Sequence, residues 1–289
     1  MTPTIQAGEL LADRPGFRVT LLADAEDLGS TITLASPGMP SPPPHVHDRH
    51  ADCFLVLEGS LRLELEGETR VAGPQTWIQV PQGVVHTFGP VGDGPARFVN
   101  VHTPSSGLGA YMRAITTAES DEDRARAWEA FDARPLERGG VDPSAVVVTR
   151  LGGAEGETIT EREGRRVTLL ADTPELAVTE SVYGPGERGP DLHVHREHAD
   201  AWLVLEGTLS FELRDGIGFE APAGTLVVVP RNVAHGFGNE QDEAARFVNV
   251  HAPACGFGDY MRGTFPDFDQ HDPPADGGLD PGSVLVRRL

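Results

Sequence analysis

The chain has 289 residues, enough for one large domain or two of ordinary size, and 39% of them are apolar, which suffices for a packed core. Its formal charge is −21 and its pI is near 4.8. That argues against a nucleic-acid or anionic-membrane partner, because both need a basic surface. No apolar run approaches the roughly 18 residues of a membrane span, and the opening MTPTIQAGELLADRPGF lacks the basic-then-apolar pattern of a secretory signal. The two cysteines, Cys53 and Cys255, have no cysteine counterparts at the matching positions Ala201 and Ser106. A disulfide framework is therefore not expected, and a reducing cytoplasm is the expected setting.

Along the chain, segments recur in order. VTLLAD stands at 19–24 and 167–172, and LVLEG at 55–59 and 203–207. ARFVNVH stands at 96–102 and 245–251, and YMR at 111–113 and 260–262. The offset is 148 in the first part and 149 from the 80s on. Such constancy means two copies of one domain in series. Ten of the eleven histidines fall into matched pairs, 45/193, 47/195, 50/198, 86/235 and 102/251, and His271 is alone.

Within each copy, short alternating runs such as FLVLEGSLRLELEG, TWIQVP and RFVNVH read as strands punctuated by glycine and proline. The expected class is all-β, an antiparallel barrel or sandwich per copy with a few short helices. Leu108, Tyr111, Met112 and Ile115 share one face of a helix. SDEDRARAWEAFDAR (120–134) predicts a second helix, capped by Ser120, opened by three acids and closed by Arg134. Copy two has FPDFDQHDPPADGG there, which reads as an irregular loop. VDPSAVVVTRL (141–151) matches LDPGSVLVRRL (279–289) at an offset of 138. This places the domain boundaries at 1–140 and 141–283. Strand 146–151 is then expected to begin domain two, and strand 284–289 to return to complete domain one. The same exchange between two chains would make a swapped homodimer.

In the octapeptides HVHDRHAD (45–52) and HVHREHAD (193–200), residues two apart point the same way in a strand. His45 and His47 therefore share a face, as do His193 and His195. With His86 and His235 brought from a later strand, each copy offers a facial set of three imidazoles. His102 and His251, at the end of RFVNVH, are expected to be satisfied structural histidines.

These residues resemble the cupin superfamily. The first cupin motif is glycine, H-x-H, three or four residues, glutamate, six residues, glycine. Here it reads Gly38, His45-x-His47, Asp52, Gly59, and again Gly186, His193-x-His195, Asp200, Gly207. The second motif reads Gly73, Pro81-x-Gly83, His86, with Pro90 in place of the motif's asparagine. In copy two it reads Gly224, Pro230-x-Asn232, His235, Asn239. The resemblance implies two tandem jelly-roll barrels, a bicupin, each holding one divalent transition metal from among Fe, Mn, Ni, Co, Cu and Zn. The departure is aspartate where the family has glutamate. It retracts the carboxylate by about 1.5 Å, one carbon–carbon bond. Asp52 and Asp200 then coordinate only if their strand shifts inward; three-histidine sites are the simpler expectation, with the two aspartates orienting a ligand histidine or acting as catalytic bases. His50 and His198 are expected at the rim, beyond the ligands or touching substrate. Phe54 and Trp202 should face inward as core or substrate contacts.

Resemblance to quercetinase-like bicupins implies a metal-dependent dioxygenase acting on a small enol- or phenol-type molecule. Isomerase, lyase, decarboxylase and non-catalytic small-molecule-binding cupins are the alternatives.

Overall fold

The computed structural model describes residues 2–39 and 41–289. The chain divides into two compact units. Gly8–Gly153 is one; Ala154–Leu289 with the first residues up to Ala7 is the other.

In barrel one the strands run β1 Glu9–Arg14, β2 Phe17–Asp24, β3 Gly29–Ala35, β4 His45–Val46, β5 Ala51–Glu58 and β6 Leu61–Leu65. They continue with β7 Glu68–Ala72, β8 Thr76–Val80, β9 His86–Pro90 and β10 Ala96–Thr103. Helices α1 Leu108–Thr117 and α2 Asp121–Ala130 follow, then β11 Arg134–Pro135 and β12 Val147–Arg150. One sheet has the order β1-β2-β3-β10-β5-β8-β12, the other β11-β4-β9-β6-β7. Phe54, Val56, Ile78 and Val80 from the first meet Leu61, Leu63 and Leu65 from the second in one buried core. Alternation along each strand thus puts one side chain in two between the sheets, as a jelly roll requires.

Barrel two repeats the plan with β13 Glu157–Arg162, β14 Arg165–Asp172, β15 Ala177–Tyr183, β16 Ala199–Glu206, β17 Thr208–Leu213 and β18 Ile217–Pro222. Then come β19 Thr225–Val229, β20 His235–Gly238, β21 Ala245–Ala252, a short α3 Phe257–Met261 and β22 Leu285–Arg288. Its sheets have the orders β13-β14-β15-β21-β16-β19-β22 and β18-β17-β20. The all-β, two-barrel expectation holds, and 265–278 is irregular as read.

Gly59 and Gly207 turn the chain from β5 to β6 and from β16 to β17 at φ of +70° and +69°. A Cβ there would stand 2.2 Å from the Pro95 carbonyl oxygen in one barrel and 2.3 Å from that of Ala244 in the other. Only glycine meets both demands.

Two expectations need correction. Residues 147–150 do not begin the second domain. They pair with Thr76–Gln79 of β8 and close barrel one. Residues 285–288 likewise pair with Thr225–Val228 of β19 and close barrel two. Strand 284–289 therefore does not complete the N-terminal barrel, and the ground for a swapped homodimer goes with it. The boundary falls at Gly153, after the strand rather than before it. The misleading offset has a plain origin. It falls from 149 at Met112/Met261 to 137 at Phe131/Phe268, because copy one carries α2 there and copy two does not. The second correction concerns α2. Its capping box is present, with Ser120 Oγ accepting from the Asp123 amide and Asp123 returning the bond to the Ser120 amide. The helix ends at Ala130, however, and Arg134 lies beyond it, paired with Val46 and in contact with Asp48 at 3.1 Å.

Candidate metal centres

Local structure brings the histidines together. β4 and β9 pair so that His45 stands opposite His86, and His193 stands opposite His235 in the second barrel. The H-x-H spacing puts His47 and His195 on the same face as their neighbours. All six side chains are buried.

Each ring is oriented by the main chain. Nδ1 of His45 donates to the Pro43 carbonyl at 2.8 Å, that of His47 to Asp132, and that of His86 to Val84 at 3.0 Å. In barrel two the acceptors are Asp191 at 2.7 Å for His193, Asp269 for His195, and Val233 at 2.9 Å for His235. A carbonyl can only accept, so each Nδ1 carries a hydrogen, and in the neutral ring Nε2 is left with a lone pair. The lone pairs converge. His193 and His195 bring their Nε2 atoms to 3.0 Å, and Nε2 of His47 and of His235 have no hydrogen-bond partner.

The aspartates join them. Asp52 Oδ2 lies 3.3 Å from His86 Nε2 and 3.8 Å from His47 Nε2. Asp200 Oδ2 lies 3.3 Å from His195 Nε2 and 3.6 Å from His235 Nε2. In barrel one, one donor atom each from His45, His47, Asp52 and His86 lies within 4.8 Å of every other; in barrel two His193, His195 and His235 form such a set. Donors about 2.1 Å from one ion, at octahedral or tetrahedral angles, stand about 3.0–3.4 Å apart. Buried acceptors facing acceptors are stable only around a cation. The donor set therefore fits a divalent transition metal in each barrel.

This changes the expected role of the shorter carboxylate. Aspartate does reach the imidazoles. It faces their Nε2 side, so it does not orient a ligand histidine through Nδ1, which the main chain already holds. Its other oxygen lies toward the histidines read as merely structural. Asp52 Oδ1 accepts from Asn100 and lies 3.2 Å from His102 Nε2, while Asp200 Oδ1 lies 2.7 Å from His251 Nδ1. Burial pushes both carboxyls up, but the histidines around them, His102 and His251 foremost, hold them well below the usual carboxylate range. Burial, with the neighbouring imidazoles, depresses His45 to about 2 and His193 to about 3, which keeps them neutral and able to ligate.

His50 and His198 are not at the rim. Both are fully buried, and their rings lie against His47 and His195 at 4.0 and 3.9 Å. Each Nδ1 donates to a carboxylate, Asp132 at 2.8 Å and Asp269 at 2.9 Å. Neither lines a cavity at the centres. Phe54 and Trp202 do not line one either; they belong to the cores.

Sequence reasoning missed Asp132 and Asp269. Each carboxylate accepts from amides of the turn after H-x-H, Arg49 at 2.7 Å in one barrel and Glu197 at 2.7 Å in the other. The main-chain carbonyl of the same residue holds the second ligand histidine. The signal was the repeated Phe-Asp, 131–132 and 268–269, hidden by the shifted offset.

Each centre opens into a cavity. That of barrel one has about 470 Å³ and is bounded by His45, His47, Asp52, Phe88, Phe98 and the α1 face of Leu108, Tyr111, Met112 and Ile115, with Trp128 of α2. That of barrel two has about 260 Å³ and is bounded by His193, His195, Asp200, Phe237 and Phe257 among others.

A family model described as Cupin domain matches residues 32–102 and again 179–251. The chain belongs to the cupin superfamily. Its two matches fall one in each barrel, so it is a bicupin. No curated protein sequence matches it. Among solved structures it is similar to oxalate decarboxylase from Bacillus subtilis at pH 4.6, with 18% identity and a TM-score of 0.56 over 86% of this chain and 74% of that one. A point mutant of the same enzyme gives 17% identity and 0.57 over 86% and 75%. A third structure, whose subject is the Mn(II) centres of that enzyme, gives 17% and 0.56 over 86% and 75%. At this identity the likeness is one of fold. Among the described residues no helix is long and apolar enough to cross a membrane.

Proposed function

We propose that this bicupin is a metal-dependent dioxygenase acting on a small enol- or phenol-type substrate in barrel one, with His45, His47 and His86 holding a divalent metal and Asp52 beside them. A corresponding centre is formed by His193, His195 and His235 beside Asp200. The observation that carries the reading is the joining of that donor set to an apolar, aromatic-walled cavity with, among the described residues, no buried cation on its wall. Besides Asp52, the charged side chains lining it are Arg14 and Arg124. Both are exposed; Arg14 lies over the Phe17 ring at 4.7 Å and Arg124 pairs with Asp121 at 3.0 Å. A small diacid would find no buried cationic partner there. An apolar body bearing an enol or phenol oxygen would bury its body against Phe88, Phe98 and Trp128 and present the oxygen to the donors.

A bound divalent ion supplies Lewis acidity and a template for an enolate oxygen beside dioxygen. The chain's own residues do the rest. Main-chain carbonyls hold the imidazoles in one tautomer. Asp52, ionised and fixed through Oδ1, offers Oδ2 at the cavity floor to take the substrate's hydroxyl proton. The roof of α1 and α2 keeps bulk water away. The decarboxylase, isomerase and lyase alternatives share the donor set but not the demand for dioxygen. The Mn(II) centres of the Bacillus subtilis relative make manganese the first ion to test.

The test is oxygen uptake by manganese- or iron-loaded protein given a flavonol, a catechol or oxalate. Uptake with the enol or phenol and none with oxalate is expected. Carbon dioxide release from oxalate without oxygen uptake would overturn the reading.

A further inference from the structure

The two copies diverge at matched positions around the cavity mouth. In barrel one Phe17 and Ala35 stand opposite each other across β2 and β3, and Met39 follows. The corresponding residues of barrel two are Arg165, Tyr183 and Glu187, with Arg165 and Tyr183 again directly opposed. An apolar trio has become a polar, internally satisfied one. The Arg165 guanidinium lies over the Tyr183 ring at 4.5 Å, donates to its hydroxyl, and pairs with Glu187 at 3.5 Å. Glu187 is also clamped by Arg162. With its charge shared this way, the cluster is a plug rather than an anion receptor.

The plug takes up space. Tyr183 is 2% exposed, and its ring stacks on Phe237 with centroids 5.9 Å apart. Ala35 leaves that volume open. At the roof, Leu108 of barrel one is matched by Phe257, whose ring stacks on His251 at 3.7 Å. These larger side chains, together with the α1 tail and α2 wall that only barrel one has, accompany a difference between about 470 and about 260 Å³. Ligand sites usually span about 300–1,000 Å³, so the first cavity falls inside that range and the second below it.

We infer that the two barrels divide the work. Barrel one alone takes the planar, apolar-bodied enol or phenol, admitted by Ala35 and Leu108. Barrel two is closed to it by Tyr183, Arg165 and Glu187, and its centre serves the fold. The headgroup class rests on the reading proposed above; the assignment of the open cavity does not.

Two probes separate these claims. 2-Naphthol, followed by fluorescence on metal-free protein, reports the cavity alone. 4-Nitrocatechol, followed by visible absorbance on metal-loaded protein, reports the cavity together with the metal. One equivalent of each per chain is expected. Ala35→Tyr should weaken both at least tenfold with metal content unchanged. Leu108→Phe, which fills the same cavity from the roof, should weaken both if the strand variant does not fold. Tyr183→Ala combined with Arg165→Phe and Glu187→Met should add a second equivalent. Two equivalents in the unaltered protein, none of either probe, or one equivalent indifferent to both filling variants would overturn the inference. Naphthol binding without nitrocatechol binding would uphold the cavity assignment and overturn the metal–enol reading.

Discussion

Removing the Asp132 carboxylate should loosen the first metal centre without touching a ligand. That carboxylate accepts from the amides of Arg49 at 2.7 Å and Asp48 at 3.3 Å and from His50 Nδ1 at 2.8 Å. His50 is fully buried, so Asp132→Ala leaves its N–H unsatisfied, at about 1–3 kcal/mol. The two amides lie nearer the surface and regain water, so each loses only about 1 kcal/mol. The contact with Arg49 adds little, since that side chain is 69% exposed. The expected loss is about 3–5 kcal/mol, against a typical domain stability of about 5–15 kcal/mol. Because His50 packs on His47 and the same residue's carbonyl holds His47, metal affinity in barrel one should fall about 10- to 100-fold. Trp77 and Trp128 lie in the first barrel and Trp202 in the second. Urea unfolding followed by fluorescence in a Trp202→Phe background therefore reports barrel one. A loss under about 1 kcal/mol with unchanged metal affinity would refute the reasoning.

Further predictions follow the same logic. Deleting 285–289 should lower the unfolding midpoint of barrel two, which loses its β19 partner, and leave that of barrel one in place; the reverse order would contradict the pairing. Gly59→Ala should destabilise barrel one by more than about 1 kcal/mol, the loss expected where φ is positive and backbone stands in the way; thermal unfolding would reveal a neutral change. Metal-free protein should lose stability as pH falls. His45, His50, His193 and His198 are held at about 2–3, below the ordinary 6.5, so the unfolded chain binds protons first. Their contribution is complete above pH 6.5 and is lost below it, at up to about 1.4 kcal/mol per pH unit for each. A urea midpoint at pH 5.5 equal to or above that at pH 7.5 would contradict the buried, neutral state of these imidazoles.

Much of the site was legible in the residues because its chemistry is periodic. H-x-H in a strand can point only one way, and the copy at 193–200 confirmed that the spacing mattered. The strands were legible through alternation, and α1 through its single apolar face. What escaped depends on long-range geometry. Nothing local in FDARP says that Asp132 will cap a turn more than 80 residues earlier in the chain. The reach of Asp52 was misjudged because bond lengths alone ignore where β5 sits, and pairing of Asp52 with His102 and Val80 fixes that. The closing strand was misassigned because the inserted α2 shifted the offset, and an offset counts residues, not neighbours in a sheet.

The central claim is that each barrel holds one divalent metal on its converging imidazoles. The direct measurement is elemental analysis of the purified chain beside His47→Ala and His195→Ala. Two metal ions per chain are predicted, falling to one in either single variant and to none in the double. Metal contents that stay near zero in the unaltered protein after loading, or that do not change in the variants, would contradict it.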